Sequence, residues 1–205
     1  MCGCQPRFIT GSFFQGSWRM RIIAGKAKGM RLTSVPGMQT RPTADRVREA
    51  LFSILGPAVA GSRFLDLYAG NGAVGLEALS RGAERVIWVE MNRGATRTIR
   101  TNVEKTGLTG GEIYTSTVER ALAKLEDAGE VFDYIFLDPP YDKGLVHKTL
   151  AALEHLSLLA LGGEIIAESR KKEDAPPTMS KFVLKREQFY GDTVLRFYRR
   201  KEESE

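Results

Sequence analysis

One stretch constrains this chain more than any other, residues 64–90: Phe-Leu-Asp-Leu-Tyr-Ala-Gly-Asn-Gly-Ala-Val-Gly-Leu-Glu-Ala-Leu-Ser-Arg-Gly-Ala-Glu-Arg-Val-Ile-Trp-Val-Glu. It reads as a short apolar strand, a glycine-rich turn, a helix, and a second apolar strand that ends on an acidic residue. Gly70, Gly72 and Gly75 fit G-x-G-x-x-G, and Glu90 follows Gly70 by 20 positions (90 − 70). That is the distance at which a nucleoside-binding βαβ unit sets a carboxylate on ribose hydroxyls. Glycine suits such a turn because a Cβ would block both the tight bend and the approach of a ligand to the backbone. The motif alone does not choose between a dinucleotide and S-adenosylmethionine, and an ordinary strand-to-helix turn is its plain alternative.

The chain beyond it keeps alternating. Strands are expected near 63–68, 85–90, 112–116, 132–137 and 162–168, with helices near 73–81, 92–106, 118–127 and 144–158 between them. Alternation with short connections predicts a parallel, doubly wound sheet. The ending differs. Lys181 to Phe189 and Thr193 to Tyr198 are extended runs joined at Tyr190-Gly191-Asp192, which leaves no room for a crossover helix. These two runs must therefore pair antiparallel. A parallel sheet closed by an antiparallel hairpin is the arrangement of S-adenosylmethionine-dependent methyltransferases rather than of nicotinamide dehydrogenases. The expected fold is thus α/β and Rossmann-like: a mostly parallel seven-stranded sheet with a C-terminal antiparallel hairpin, carrying a small N-terminal β-hairpin and helix.

Net charge is +5, and its placement matters more than its size. Between Met20 and Ala50 stand seven basic residues (Arg21, Lys26, Lys28, Arg31, Arg41, Arg46, Arg48) against Asp45 and Glu49, so this segment alone carries +5. A basic patch confined to one module is the footprint of a polyanion-binding surface; a solvated face is the plainer reading. Within it, Arg21 to Val35 suits a small β-hairpin around Gly25 and Gly29, with Lys26 and Lys28 at the tip. A loop from Pro36 to Pro42 leads to a helix with Thr43 as N-cap and Val47, Leu51, Ile54 and Leu55 on one face. Gly56 and Pro57 end that helix and leave Arg41, Arg46 and Arg48 for solvent or a ligand. Residues 1–19 fit no periodic template and read as a disordered or upstream segment, with Met20 the effective beginning. The organisation expected is then 20–57 as a basic hairpin-and-helix extension that contacts a polyanion, and 58–205 as the methyltransferase domain.

Other classes are disfavoured. No apolar run approaches the roughly 20 residues that span a bilayer, and no signal peptide is evident, so a cytoplasmic protein is expected. The only cysteines, Cys2 and Cys4, are too close together and too terminal to staple a fold. The only histidines, His147 and His155, fall in one helical pattern and are expected to face solvent, so no metal site is expected. Trp88 lies in an apolar strand and reads as core.

A second motif follows the fourth strand: Asp138-Pro139-Pro140-Tyr141. Ligands of open α/β sheets bind beyond the carboxyl ends of the strands, so this tetrapeptide should share a rim with the glycine turn. Two prolines fix φ and offer carbonyls without competing N–H groups. The Asp138 carboxylate and the Pro139 carbonyl then form a rigid pair of acceptors, and Tyr141 offers a flat face for a base, worth about 1–3 kcal/mol. Such a pair suits an exocyclic amine, whose lone pair is delocalised into the ring. Holding its hydrogens favours a pyramidal nitrogen aimed at an electrophilic methyl, and stabilises the positive charge that develops.

On these residues the chain resembles the RsmD family of bacterial 16S ribosomal RNA guanine-N2 methyltransferases, from about Met20 to Arg200. The matching stretches are Arg21-Ile-Ile-Ala-Gly-Lys, Thr40-Arg-Pro-Thr-Ala-Asp-Arg-Val-Arg-Glu, Asp66-Leu-Tyr-Ala-Gly-Asn-Gly-Ala-Val-Gly, Asp138-Pro-Pro-Tyr and Tyr190-Gly-Asp-Thr. The resemblance implies that Gly70, Gly72 and Glu90 hold the amino-acid and ribose portions of S-adenosylmethionine. It implies too that Asp138 and Tyr141 receive a flipped guanine. Around that core the cofactor candidates are Asp66, Tyr68, Ala69, Asn71, Met91, Thr117 and Val118. Thr117-Val118 stands where an adenine contact is expected, without the acidic residue that many methyltransferases use there. The catalytic candidates are Asp138, Pro139, Pro140 and Tyr141; the RNA-contacting candidates are Arg21, Lys26, Lys28, Arg41 and Arg46. The implied partner is 16S RNA or the small ribosomal subunit, met by a monomer. The rivals are the same transfer to a DNA adenine, a non-catalytic RNA-binding assembly factor, and, last, a nicotinamide dehydrogenase.

Overall fold

The computed structural model describes residues 20–35, 42–141, 143–173 and 179–201. Five parallel strands follow the expected order: β1 (Arg63–Leu67), β2 (Arg85–Glu90), β3 (Gly111–Thr115), β4 (Phe132–Leu137) and β5 (Leu159–Arg170). Then β6 (Phe182–Tyr190) and β7 (Thr193–Arg200) form an antiparallel hairpin whose second strand inserts beside β5. The resulting sheet of seven strands runs β3-β2-β1-β4-β5-β7-β6. The expected fold class holds. The order reverses between β1 and β4, and that is where an open sheet presents a crevice.

The central strands are buried on both faces, as parallel strands between helices must be. Phe64, Val86, Trp88, Phe136 and Ile166 point to one face, while Leu65, Leu67, Ile87, Val89, Ile135 and Ile165 point to the other. Each fully buried side chain of this size contributes about 1.5–3 kcal/mol. The first face is covered by α1 (Pro42–Leu55), α2 (Ala73–Ser80) and α3 (Arg93–Thr106), the second by α4 (Val118–Asp127) and α5 (Leu145–Glu154). Local chemistry sets the helix ends. Asn92 Oδ1 accepts from the N–H groups of Gly94 and Ala95, and Gly107, at φ +64°, closes α3. Trp88 is core, as expected. Its indole N–H donates to the Gly72 carbonyl, and a Cβ on Gly75 would lie 2.2 Å from that nitrogen. The third glycine of the motif therefore serves close helix–strand packing. Among the described residues no helix is long and apolar enough to cross a membrane.

Several expectations are corrected. Thr43 is not an N-cap, because α1 already begins at Pro42. Proline fits a first helical position, where its missing N–H would be unpaired anyway. The strand β5 begins at Leu159 rather than near 162, and α5 ends at Glu154. Gly162, at φ +77°, and Gly163 do not interrupt that strand; a Cβ on Gly163 would lie 2.9 Å from the Asp133 carbonyl, so glycine lets β5 pass β4 closely. Residues 1–19 and the loop from 36 to Arg41 lie outside the described residues.

The hairpin from Arg21 is narrow, a single antiparallel bridge between Arg21 and Arg31, with Ile22 N–H on the Met30 carbonyl and Leu32 N–H on that of Met20. Lys26 and Lys28 are exposed near its tip. Its tip is clasped by α2. The fully buried Glu77 carboxylate accepts from Ile23 N–H (2.7 Å) and Ala24 N–H (3.0 Å), and from Arg81 Nε (2.8 Å). Lys26 N–H reaches the Ser80 carbonyl at 2.7 Å. Arg48, expected to be left for solvent or a ligand, is buried at 4% exposure, with part of it in the wall of the large cleft. Its Nη2 donates to the Arg21 carbonyl (2.6 Å) and to Asp45 (3.2 Å), and its Nε lies 3.8 Å from Glu77. A neighbouring buried carboxylate makes this guanidinium tolerable in the interior, and burial lowers its pKa from the ordinary value.

Candidate active site

The glycine turn begins on a strained residue. Tyr68, directly after β1, has φ +61°, the one non-glycine in the left-handed region among the described residues. Such a conformation costs about 1–3 kcal/mol and is characteristic of functional sites. It is held by Tyr68 Oη and Thr149 Oγ1 of α5, 2.7 Å apart, and by Ala69 N–H on the Val89 carbonyl. Gly70 and Gly72 follow at φ +56° and +77°. Glu90, at the end of β2, closes the turn: one oxygen accepts from Gly70 N–H (2.9 Å), the other from Asn92 N–H (2.7 Å). A carboxylate has about four lone-pair sites, so both oxygens can still take a hydroxyl.

Asn71 ties the turn to the N-terminal segment. Its Nδ2 donates to Met20 Sδ, and its carbonyl accepts from Asn102 Nδ2 at 3.1 Å. Asn102 is fully buried in α3 and also exchanges bonds with the backbone of Thr33. Asp66 lies under the turn rather than in front of it. At 2% exposure it accepts from Gly75 N–H (3.0 Å), and burial pushes its carboxyl up to about 8, against that bond.

Across the switch point, Asp138-Pro139-Pro140-Tyr141 follows β4. Leu137 pairs with Ala167 at the end of β4, so Asp138 follows directly after that pair on one side and Glu168 on the other, close enough for the two acids to interact electrostatically. Tyr141 Oη donates to Glu168 Oε1 at 3.2 Å, and the Arg170 guanidinium carbon lies 5.1 Å from the Tyr141 ring centroid. The Glu168 carboxyl is raised by burial and by the Asp138 charge, and that of Asp138 by the surrounding protein. Asp138 still reaches solvent at the cleft surface, which tempers the push on it. The same neighbourhood raises the Tyr141 phenol.

Both rims open into one cleft of about 1410 Å³. Of the sequence-derived candidates, Tyr68, Ala69, Gly70, Asn71, Glu90, Met91, Asp138, Pro139, Pro140 and Tyr141 line it. Gly72 sits at the start of α2, and Asp66 lies below; neither lines the cleft. Thr117 caps α4 and Val118 is buried, so these two also lie off the cleft wall. Arg21, Lys26, Lys28 and Arg46 are exposed elsewhere, and Arg41 lies outside the described residues. His147 and His155 are exposed, as expected. The sequence reading missed Met20, Glu168, Arg170, Lys171 and Lys172 in the cleft wall. Only the charge run Arg170-Lys171-Lys172 offered a signal.

The arrangement is a glycine turn with a carboxylate at its far strand, facing a cluster of fixed acceptors. Comparison with known proteins agrees in fold and family. The family model described as Conserved hypothetical protein 95 matches residues 20–199. The chain is 34% identical to Ribosomal RNA small subunit methyltransferase D of Escherichia coli, over 93% of this chain and 94% of that one. A solved hypothetical protein of Thermus thermophilus superposes with a TM-score of 0.74 at 34% identity, covering 87% of this chain and 98% of that one. More distantly, the T. thermophilus 16S rRNA N2 guanine methyltransferase RsmC, solved with AdoMet and guanosine, shares the fold. That superposition has a TM-score of 0.67 at 22% identity, over 90% of this chain and 50% of that one.

Proposed function

This chain belongs to the RsmD family, the one whose model is described as Conserved hypothetical protein 95, and from that premise we propose that it methylates the N2 amine of one guanine in 16S ribosomal RNA. The methyl donor is S-adenosylmethionine, which supplies an electrophilic methyl on a sulfonium and leaves as the thioether. The observation that carries the reading is the acceptor cluster around Asp138, set in the same cleft as the glycine turn and Glu90.

Each residue then has a task. The Gly70–Gly72 turn lets the backbone approach the amino-acid portion of the donor, and Glu90 accepts from the ribose hydroxyls while keeping its bonds to Gly70 and Asn92. Asp66 contributes from below, by fixing the start of α2 through Gly75. The Asp138 carboxylate and the Pro139 carbonyl accept the two amine hydrogens, which turns the nitrogen lone pair toward the methyl. As the N–C bond forms and the S–C bond breaks, these acceptors face the positive charge that appears on nitrogen. The alkylated amine is acidic and gives its extra proton to Asp138 or water. Tyr141 presents the ring face opposite Arg170 to the guanine, which must leave its stack to arrive. Lys26, Lys28, Arg21 and Arg46 hold the RNA backbone.

The deciding experiment is transfer of labelled methyl to naked 16S RNA, to small subunits lacking the modification, and to duplex DNA, followed by nucleoside analysis. N2-methylguanosine from RNA or subunits is expected. N6-methyladenine from DNA would keep the chemistry and overturn the substrate; no transfer to any acceptor, with donor bound, would leave an RNA-binding protein.

A further inference from the structure

We infer that Glu168 selects guanine over other amine-bearing bases by accepting the ring N1–H beside the reacting amine. The inference rests on the reading above, that the amine is the N2 of a guanine.

Guanine brings three hydrogens to the edge concerned, two on N2 and one on N1. Asp138 and the Pro139 carbonyl account for the amine pair. The third needs another acceptor on the same side of the pocket, and the strand register supplies it. Leu137 and Ala167 are paired across β4 and β5, so the next residues, Asp138 and Glu168, emerge from neighbouring parallel strands about 4.8 Å apart. Both line the cleft. Among the described residues Tyr141 is the hydrogen-bond donor to the Glu168 carboxylate; it takes Oε1 and leaves Oε2 for a ligand.

A pair of carboxylates held together in this way is unfavourable on its own, since each charge opposes the other. A base that brings donors to both relieves that repulsion. Adenine and cytosine do not. Each carries an exocyclic amine, but the ring nitrogen beside it is a bare acceptor, and its lone pair would face the Glu168 carboxylate. A site built around a hydrogen bond rejects the analogue lacking that hydrogen far more strongly than one built on shape. A residue that merely fastened Tyr141 would not distinguish these bases. Glutamine at 168 would keep an acceptor for the tyrosine hydroxyl while gaining an amide donor.

The test replaces the modified guanine, once mapped, by 2,6-diaminopurine in 16S RNA assembled by ligation. Diaminopurine keeps the amine at position 2 and loses the hydrogen at N1. Methyl transfer to the two RNAs is compared for the wild-type protein and for Glu168→Gln. The wild type is expected to prefer guanine by about 100-fold or more, and the variant to reduce that preference by about 10-fold or more, because its amide can donate to the bare N1. Equal transfer to both RNAs by the wild type overturns the inference without reference to the variant. Wild-type preference for guanine that Glu168→Gln leaves unchanged overturns it as well. Absence of N2-methylguanosine with the wild-type protein overturns the proposed function, and the inference with it.

Discussion

Around the glycine turn, donors and acceptors have already met: Gly70 and Asn92 N–H groups on Glu90, Asn102 on the Asn71 carbonyl, Asn71 on Met20. Around Asp138 the balance is different. Asp138, Pro139 and Glu168 line that part of the cleft, and among the described residues Tyr141 Oη donates to the Glu168 carboxylate. The first rim is a holder, rigid because its polar groups are satisfied. The second is a receptor, strained by repulsion that a donor-rich ligand would relieve. On the proposed reading, one cleft would hold a cofactor by preorganised shape and a base by unfilled hydrogen-bonding demand.

The sharpest way to break this division is Asp138→Ala. Transfer should fall by about 10²–10³-fold while calorimetric affinity for S-adenosylmethionine is unchanged; if affinity falls too, the two rims are not separate. Glu90→Ala should do the reverse. Losing hydrogen bonds to a charged group costs about 1.5–3 kcal/mol, which is a 10- to 100-fold weaker cofactor affinity, with turnover at saturating cofactor near that of the wild type.

A smaller effect concerns Asp66 beneath the holder. Its folded pKa of about 8 lies above the ordinary 3.8, so between those values the folded chain keeps a proton that the unfolded chain has released. Stability therefore falls as pH rises through that window and levels off above about 8. Asp66→Asn has nothing to ionise and keeps an acceptor for Gly75. Urea midpoints at pH 5 and pH 8 should lie closer together in the variant; Asp138 and Glu168, shifted the same way, leave some slope. Smallest should be the change on replacing Lys26 and Lys28 by alanine. RNA affinity should weaken mildly and its logarithmic salt slope should drop by about 1–2, measured by filter binding. An unchanged slope would remove the hairpin tip from the RNA interface.

The glycine turn and Glu90 were legible in the sequence because they lie within 27 consecutive residues, and a local motif needs no knowledge of the rest of the chain. Tyr141 and Asp138 were legible for the same reason. What escaped was assembled over distance. Glu168 is one acid at the end of a strand, and only the β4–β5 register sets it beside Asp138. Asn102 looks like an ordinary helix residue until the chain 69 positions earlier, at Thr33, comes against it. Arg48 shows the converse. In a helix written Arg-Val-Arg-Glu it reads as free for solvent or a ligand, and no pattern announces that Glu77 of another helix waits beside it in the interior. Thr43 failed because two start signals competed, and proline, with its φ already set, won.

The helix α2 joins two of these regions. It is 8 residues long, about 12 Å at 1.5 Å per residue, with the glycine turn at its start and the basic hairpin clasped to its end. That clasp has no play, since a Cβ on Gly25 would lie 1.8 Å from the Ser80 carbonyl. The helix is therefore a gauge block. On the proposed reading, it would fix how far the grip on the nucleic-acid backbone stands from the methyl to be given away. A base at the wrong distance from that grip cannot be reached, whatever its identity. On that reading, sequence choice would divide into two measurements, a length taken by α2 and a hydrogen-bond pattern taken at the far rim.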